Sequence, residues 1–454
     1  MDLIIKDGTI ITATDTYKAD IAMQNGKIVL IGQDLQFEGA DVVDASGKYI
    51  LPGAIDVHTH LQMPFGGTIS ADSYEAGTRA AACGGVTTVF DFVIQKKGQG
   101  LIEAVEGRRE LCDPQACVDY AFHTIITDLT PAVLEEFSAS ASYGVPSFKM
   151  FMVYMGLMSD DGLLALALER SRETGTLVAV HAENRDIIDK RIERLLAQGK
   201  TSAWYHYESR PEFVESEADK RAIHIAKALD APLYIVHLAC KEGLDEVTKA
   251  RDEGYEIYAE TCPQYLHFTN EVYKREDGKN WVCSPPIKAQ ESQDALWAGI
   301  KRGDIQTVAT DHCPFQSYEK DWGKDDFTKI PNGIMGIENL YPYMLSEANK
   351  GRISFNKAVE VCALNPAKIF GCSPEKGTLV VGSDADLVVY DPNKNFIISK
   401  DNMHSDVDHT IWEGVELKGY PVMTFSRGKL VFKDGEFVGD PGWGQFVKCR
   451  GRKV

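Results

Sequence analysis

Short apolar runs separated by turns open the chain. They predict strands at Leu3–Ile5, Thr9–Thr12, Asp20–Gln24, Lys27–Ile31 and Tyr49–Leu51. Asn25-Gly26, between two of these, is a strong tight-hairpin signal. The same texture returns near the other end, at Leu387–Tyr390, Val422–Phe425 and Lys429–Phe432, where the turn Gly382–Asp386 feeds the first of the three. Two β-rich ends around a different middle predict one discontinuous β-sandwich domain built from residues 1–51 and 376–440. The basic, glycine-containing tail at 441–454 is expected to be extended.

In the middle the pattern changes to strand alternating with helix. Candidate strands are Gly53–His60, Val86–Phe92, Asp119–Thr124, Ser147–Met152, Thr176–His181, Leu233–Leu238, Glu256–Thr261 and Thr307–Asp311. Helical stretches fall between them at Ser73–Cys83, Leu101–Leu111, Pro131–Tyr143, Asp161–Glu173, Glu215–Leu229, Leu244–Asp252 and Asp294–Arg302. Thr130-Pro131 and Asp160-Asp161 are helix starts, and Gly84, Gly144, Gly175 and Gly254 are stops. This alternation predicts a (β/α)8 barrel over residues 52–375, with the active site at the C-terminal ends of its strands. The fold class is therefore α/β, a TIM-like barrel carrying a smaller β-sandwich made by both termini.

Composition narrows the partners. The 454 residues are 44% hydrophobic and 25% charged, the balance of a globular protein, and the net charge of −19 argues against a polyanion such as nucleic acid. No apolar run approaches a membrane span. Met1–Gly8 lacks the basic and apolar regions of a secretory signal, so a cytoplasmic location is the expectation. The ten cysteines are scattered without a CxxC pair and read as reduced thiols; Cys313, beside a candidate site residue, reads as packing.

Residues of metal-binding type occupy the predicted strand ends. His58 and His60 share one face of the first strand, because a strand has a side-chain period of two. Lys149 lies in the fourth, His181 ends the fifth, His237 falls at the sixth and Asp311 at the eighth. Imidazole and carboxylate suit zinc and similar divalent ions. His123, at the third, reads as a packed core histidine. Lys149 stands in the apolar run Ser147–Met152, where burial would depress its pKa and free a nucleophilic amine. A lysine paired with a carboxylate inside the barrel is the other reading.

These residues resemble a known family. Asp56-Val57-His58-Thr59-His60, Met63–Thr68, Gly77–Gly85, Ser147–Tyr154, His181-Ala182-Glu183-Asn184 and Glu260–Tyr265 resemble the cyclic amidohydrolases of the dihydropyrimidinase/hydantoinase branch. So do Ser284-Pro285-Pro286, Ala309–Phe315 and Pro331-Asn332-Gly333, and the resemblance runs along essentially the whole chain. It implies that Lys149 is carboxylated and bridges two divalent metals, zinc or manganese. His58, His60 and Asp311 would hold one metal, and His181 and His237 the other. A hydroxide shared by the pair would attack a ring amide, with Asp311 moving the proton and Tyr154 donating to the oxyanion. Ser284 and Asn332 would read the cyclic diamide through backbone groups, and a homotetramer is implied. The product would be an N-carbamoyl amino acid from a dihydropyrimidine or 5-substituted hydantoin.

Allantoinase is the rival enzyme, and a catalytically dead dihydropyrimidinase-related scaffold the rival from another class. All six ligand positions are filled, against the scaffold. Gln62 stands where dihydroorotases resemble His-x-His-x-Arg, against that branch. Leu61, Met63, Phe65, Met155 and Leu157 are apolar and suit the exocyclic group of a substituted ring. One departure is Leu340, where the family pattern leads us to expect an arginine supporting the Asn332 loop.

Overall fold

The structure, a computed structural model, describes residues 1–453. Its centre is an eight-stranded parallel sheet. In chain order the strands are Ala54–Thr59, Val86–Ile94, Asp119–Ile125, Ser147–Phe151, Leu177–His181, Leu233–Ile235, Ile257–Thr261 and Thr307–Val308. Each pairs with its neighbour in sequence, and a parallel bridge from Thr59 to His312 brings the first and last edges together into a barrel. The near-continuous burial of these strands is what a parallel sheet covered by helices requires.

The helices form where local chemistry starts and stops them. Thr130 caps Pro131–Tyr143 by accepting from Val133 N–H, and Gly144 ends it with φ of 115° in the left-handed region. Asp160 likewise caps Asp161–Thr174, which ends at Gly175. Arg185–Ala197, Ala203–Ser209 and Leu340–Asn349 are helical where the pattern analysis proposed nothing. Arg185–Ala197 is a polar helix with only Ile188 and Leu195 buried, so its apolar stripe is too thin to read by period.

The two chain ends meet in a second unit. A four-stranded sheet holds Leu3–Lys6 and Asp20–Gln24. A seven-stranded sheet sets Tyr49–Pro52 antiparallel to Leu387–Ile397, with Leu387 opposite Pro52. Ile5, Ile21, Ile28, Ile50, Leu387, Val389 and Phe425 fill the space between them. The tail is extended and pinned to the base of the barrel: Val447 N–H donates to Tyr120 O at 2.7 Å and Cys449 N–H to Gly144 O at 3.0 Å.

Candidate active site

Barrel geometry brings the six predicted ligand residues to one point. Asp311 Oδ1 lies 3.1 Å from His58 Nε2 and 3.0 Å from His60 Nε2. Lys149 Nζ is 2.9 Å from His58 Nε2, and His237 Nε2 is 2.9 Å from His181 Nδ1. The His58 and His237 rings stack at 5.3 Å and join the two halves. All four histidines and Lys149 are buried.

The protonation pattern around the cluster shows what it can hold. His58 Nδ1 sits 2.6 Å from Glu260 Oε1, which orients the ring so that Nε2 faces inward. His181 Nε2 is 2.8 Å from Glu183 Oε2, so its Nδ1 lone pair also faces inward. Carboxylates behind ring nitrogens are the usual support of metal-ligating histidines. Burial pulls His60 down to about 3 and His237 well down, so both rings stay neutral. Burial opposes ionisation of Asp311, but His58 and His60 outweigh it and hold the carboxyl well below its usual range. Burial pulls Lys149 to about 8, against the attraction of Asp311 and Glu260. Inward-facing ring nitrogens and an ionised carboxylate converging at contact distance fit divalent cations. His58, His237 and Asp311 alone place three ligand atoms within 4.8 Å of one another.

Two of these positions, and Tyr154 above them, are backbone-strained. Tyr154, His237 and Asp311 have φ of 69°, 37° and 53°, uncommon for residues with a side chain. The Tyr154 ring meets Phe65 edge-on at 5.6 Å and lies 5.3 Å from the His181 ring. Burial pushes its phenol up to about 12, with Arg210 pulling the other way. Ser284 and Asn332 face the same cleft and are joined, the Asn332 Nδ2 donating to Ser284 Oγ at 2.9 Å. The cleft, about 410 Å³ with its mouth, runs from Lys149 and Asp311 out to Phe65 and Tyr154.

Two expectations change. Leu61 does not line the cleft: it is fully buried in the main core, where a Cβ on Gly77 would lie 2.2 Å from its Cδ2. Met155 is 82% exposed at the rim. His123 is a packed core histidine as read, bonded to Ser147 Oγ and Val57 O. Leu340 is buried at the start of a helix. Glu260, Glu183, Arg210 and Lys320 carry no assigned role in the sequence pattern. Glu260 carried the same signal as Lys149, a charge inside an apolar strand. A wider opening, about 1650 Å³ with its mouth, lies between the β-sandwich and the tail, but its lining acids Asp119 and Asp384 are already paired with Lys376, and Asp119 also with Arg427.

A parallel barrel whose strand ends gather four histidines, an aspartate and a lysine defines a class of hydrolase. The model of the amidohydrolase family matches residues 49–431, and the chain belongs to that family. Within it the chain falls with the hydantoinases and dihydropyrimidinases. It is 43% identical to a D-hydantoinase of Geobacillus stearothermophilus over 99% of this chain and 96% of the relative. It is 39% identical to a D-phenylhydantoinase of Escherichia coli O1:K1, over 99% and 98%. The crystal structure of a dihydropyrimidinase from Brevibacillus agri superposes with a TM-score of 0.98 at 43% identity, covering all of both chains.

Proposed function

We propose that this chain is a binuclear-metal hydrolase that opens the ring amide of 5-substituted hydantoins or dihydropyrimidines to N-carbamoyl amino acids. The observation that carries this reading is the convergence of His58, His60, Lys149, His181, His237 and Asp311 beneath Tyr154. The names of the relatives, D-hydantoinase and D-phenylhydantoinase, favour a hydantoin with an aromatic substituent. His58, His60 and Asp311 would hold one metal, His181 and His237 the other, and carboxylated Lys149 both. The ions, zinc or manganese, would lower the pKa of the attacking water and neutralise charge on the carbonyl oxygen.

Lys149 suits carboxylation because its buried amine is partly neutral near pH 8 and can add to CO2, losing one proton. Asp311 takes a proton from the nucleophile as its oxygen bonds the ring carbonyl carbon, and passes it to the amide nitrogen as the C–N bond breaks. Tyr154 donates its phenol hydrogen to the carbonyl oxygen as negative charge grows there. Backbone groups of Ser284 and Asn332 would hold the N–H and C=O edge of the ring. The reading includes the boundaries 1–51 and 376–440 for the sandwich, 52–375 for the barrel and 441–454 for the tail. It also includes a cytoplasmic homotetramer with no nucleic-acid or membrane partner. Among the described residues no helix is long and apolar enough to cross a membrane.

The test is turnover of dihydrouracil, 5-phenylhydantoin and allantoin by one preparation of known metal content. Ring-opened carbamoyl products from either of the first two are expected. Turnover of allantoin alone would make the chain an allantoinase, and metal-loaded protein inert on all three would leave a scaffold.

A further inference from the structure

Lys320 ends the short helix Ser317–Lys320 and is fully buried. Its Nζ donates to Gly333 O at 2.6 Å, Pro331 O at 2.7 Å and Val282 O at 3.0 Å, which uses all three ammonium hydrogens. Among the described residues no carboxylate lies within ion-pair distance of it. A buried ammonium without a counter-ion is costly, and most folds place a carboxylate there or use an apolar side chain. Here three main-chain carbonyls take that place, and they come from two loops that are remote in sequence.

Those loops are the ones bearing Ser284 and Asn332. Pro331 and Gly333 flank Asn332, and the Pro331 carbonyl lies in the same peptide plane as the Asn332 N–H. Fixing that oxygen therefore fixes the direction of the N–H. Gly333 N–H in turn donates to Val282 O at 2.9 Å, and Asn332 Nδ2 to Ser284 Oγ, so the two loops form one edge with the ammonium behind it. Resting on the proposed cyclic-amide reading, we infer that Lys320 is a positioning residue for substrate: its ammonium locks the Ser284 and Asn332 loops into a single ring-reading edge.

The surroundings agree with this role. Phe315 lies under the ammonium, its ring centre 5.5 Å away. Glu319, on the same helix, is occupied elsewhere, accepting from Thr68 Oγ1 and Gln316 N–H. Cys283, Cys313, His206 and His409 are the other titratable groups that face it. Burial pulls Lys320 to about 7, so the clamp carries its charge mostly below that pH.

Lys320→Met and the milder Lys320→Gln test the inference, with KM and kcat, metal content and amide hydrogen exchange read together. In Lys320→Met, KM for the best substrate is expected to rise about tenfold or more, with kcat changed less than about threefold. Metal content should match the parent, and exchange should quicken in peptides covering 282–285 and 331–333 but not in the strand carrying Lys149. If Lys320→Met fails to fold, Lys320→Gln carries the same expectation at smaller size. Parent-like KM together with parent-like exchange in both loops would overturn the role, as would equal loss of kcat and metal. Exchange does not depend on turnover, so a parent that hydrolyses no cyclic amide would sink the functional reading while the clamp is still judged.

Discussion

Glu260 Oε1 lies 2.6 Å from His58 Nδ1 and accepts the backbone N–H of His237 at 3.0 Å. One buried carboxyl oxygen thus touches the residues assigned to both metals, while its partner oxygen accepts from Tyr234 OH at 2.9 Å. Glu260→Gln keeps the shape but removes the charge that orients His58. Metal affinity should fall by about 10–100-fold with the fold intact. Chelator competition measures it, and parent-like retention would show that Glu260 only packs.

Lys149→Ala should leave a folded protein that binds little metal, because no neighbouring side chain can replace a bridging anion. The side chain sits at the centre of the cluster, 2.9 Å from His58 Nε2, with the Phe92 ring 4.4 Å away. Elemental analysis of dialysed protein should show metal well below the parent. Two metals per chain with near-parent turnover would remove the carbamate from the reading.

The barrel and the gathering of the candidate ligand residues were legible because both obey short-range rules. Strand and helix alternate with clear caps, and every candidate ligand except the mid-strand Lys149 falls at or just beyond a strand end, where a barrel puts its site. His237 and Asp311 show the limit. The candidate strands ran to them, yet the observed ones stop at Ile235 and Val308, and both residues turn into the left-handed region instead. Period carries no sign of a φ reversal in a residue with a Cβ. Lys320 was invisible for a different reason: its meaning lies in carbonyls 11, 13 and 38 positions away, which no local pattern reports. Leu61 was misplaced because an apolar residue beside a histidine pair has no mark distinguishing cleft from core.

Lys320 also predicts a pH dependence of stability. Its folded value is about 7, against 10.5 ordinarily. Below 7 both folded and unfolded chains carry the proton; between the two values the unfolded chain binds more. This group's destabilising effect therefore eases as pH rises through that window, by up to roughly 1.4 kcal/mol per pH unit. The stability gap between parent and Lys320→Met, from urea melts, should move in the parent's favour from pH 7 towards about 9. Parallel curves would place the folded value near the ordinary one.

Phe65 stands at the cleft mouth at the end of the strand Pro64–Phe65, just before the turn to Thr68–Ile69, and edge-on to Tyr154. An apolar wall there discriminates ring substituents modestly, by about 10–200-fold per methylene-sized change. Phe65→Ala should lower kcat/KM for 5-phenylhydantoin more than for dihydrouracil. Equal loss on both would make Phe65 a packing residue of the rim.

Tyr154→Phe separates binding from chemistry. The phenol is proposed to bond the carbonyl oxygen only as charge develops, so removing it should raise the barrier and leave ground-state binding nearly unchanged. Loss of one such donor costs about 10²–10³ in kcat, or about 2.7–4 kcal/mol. The ring contacts with Phe65, Phe151 and His181 survive the change, so fold and metal content should hold. Arg210, held by Glu183 at 2.6 Å, stays beneath the ring and keeps its position. Steady-state kinetics on the best substrate decide it. A variant retaining more than about a third of parent kcat would end the oxyanion role, since the expected loss is far larger. A raised KM with kcat intact would make Tyr154 a binding residue and move the oxyanion's stabilisation elsewhere.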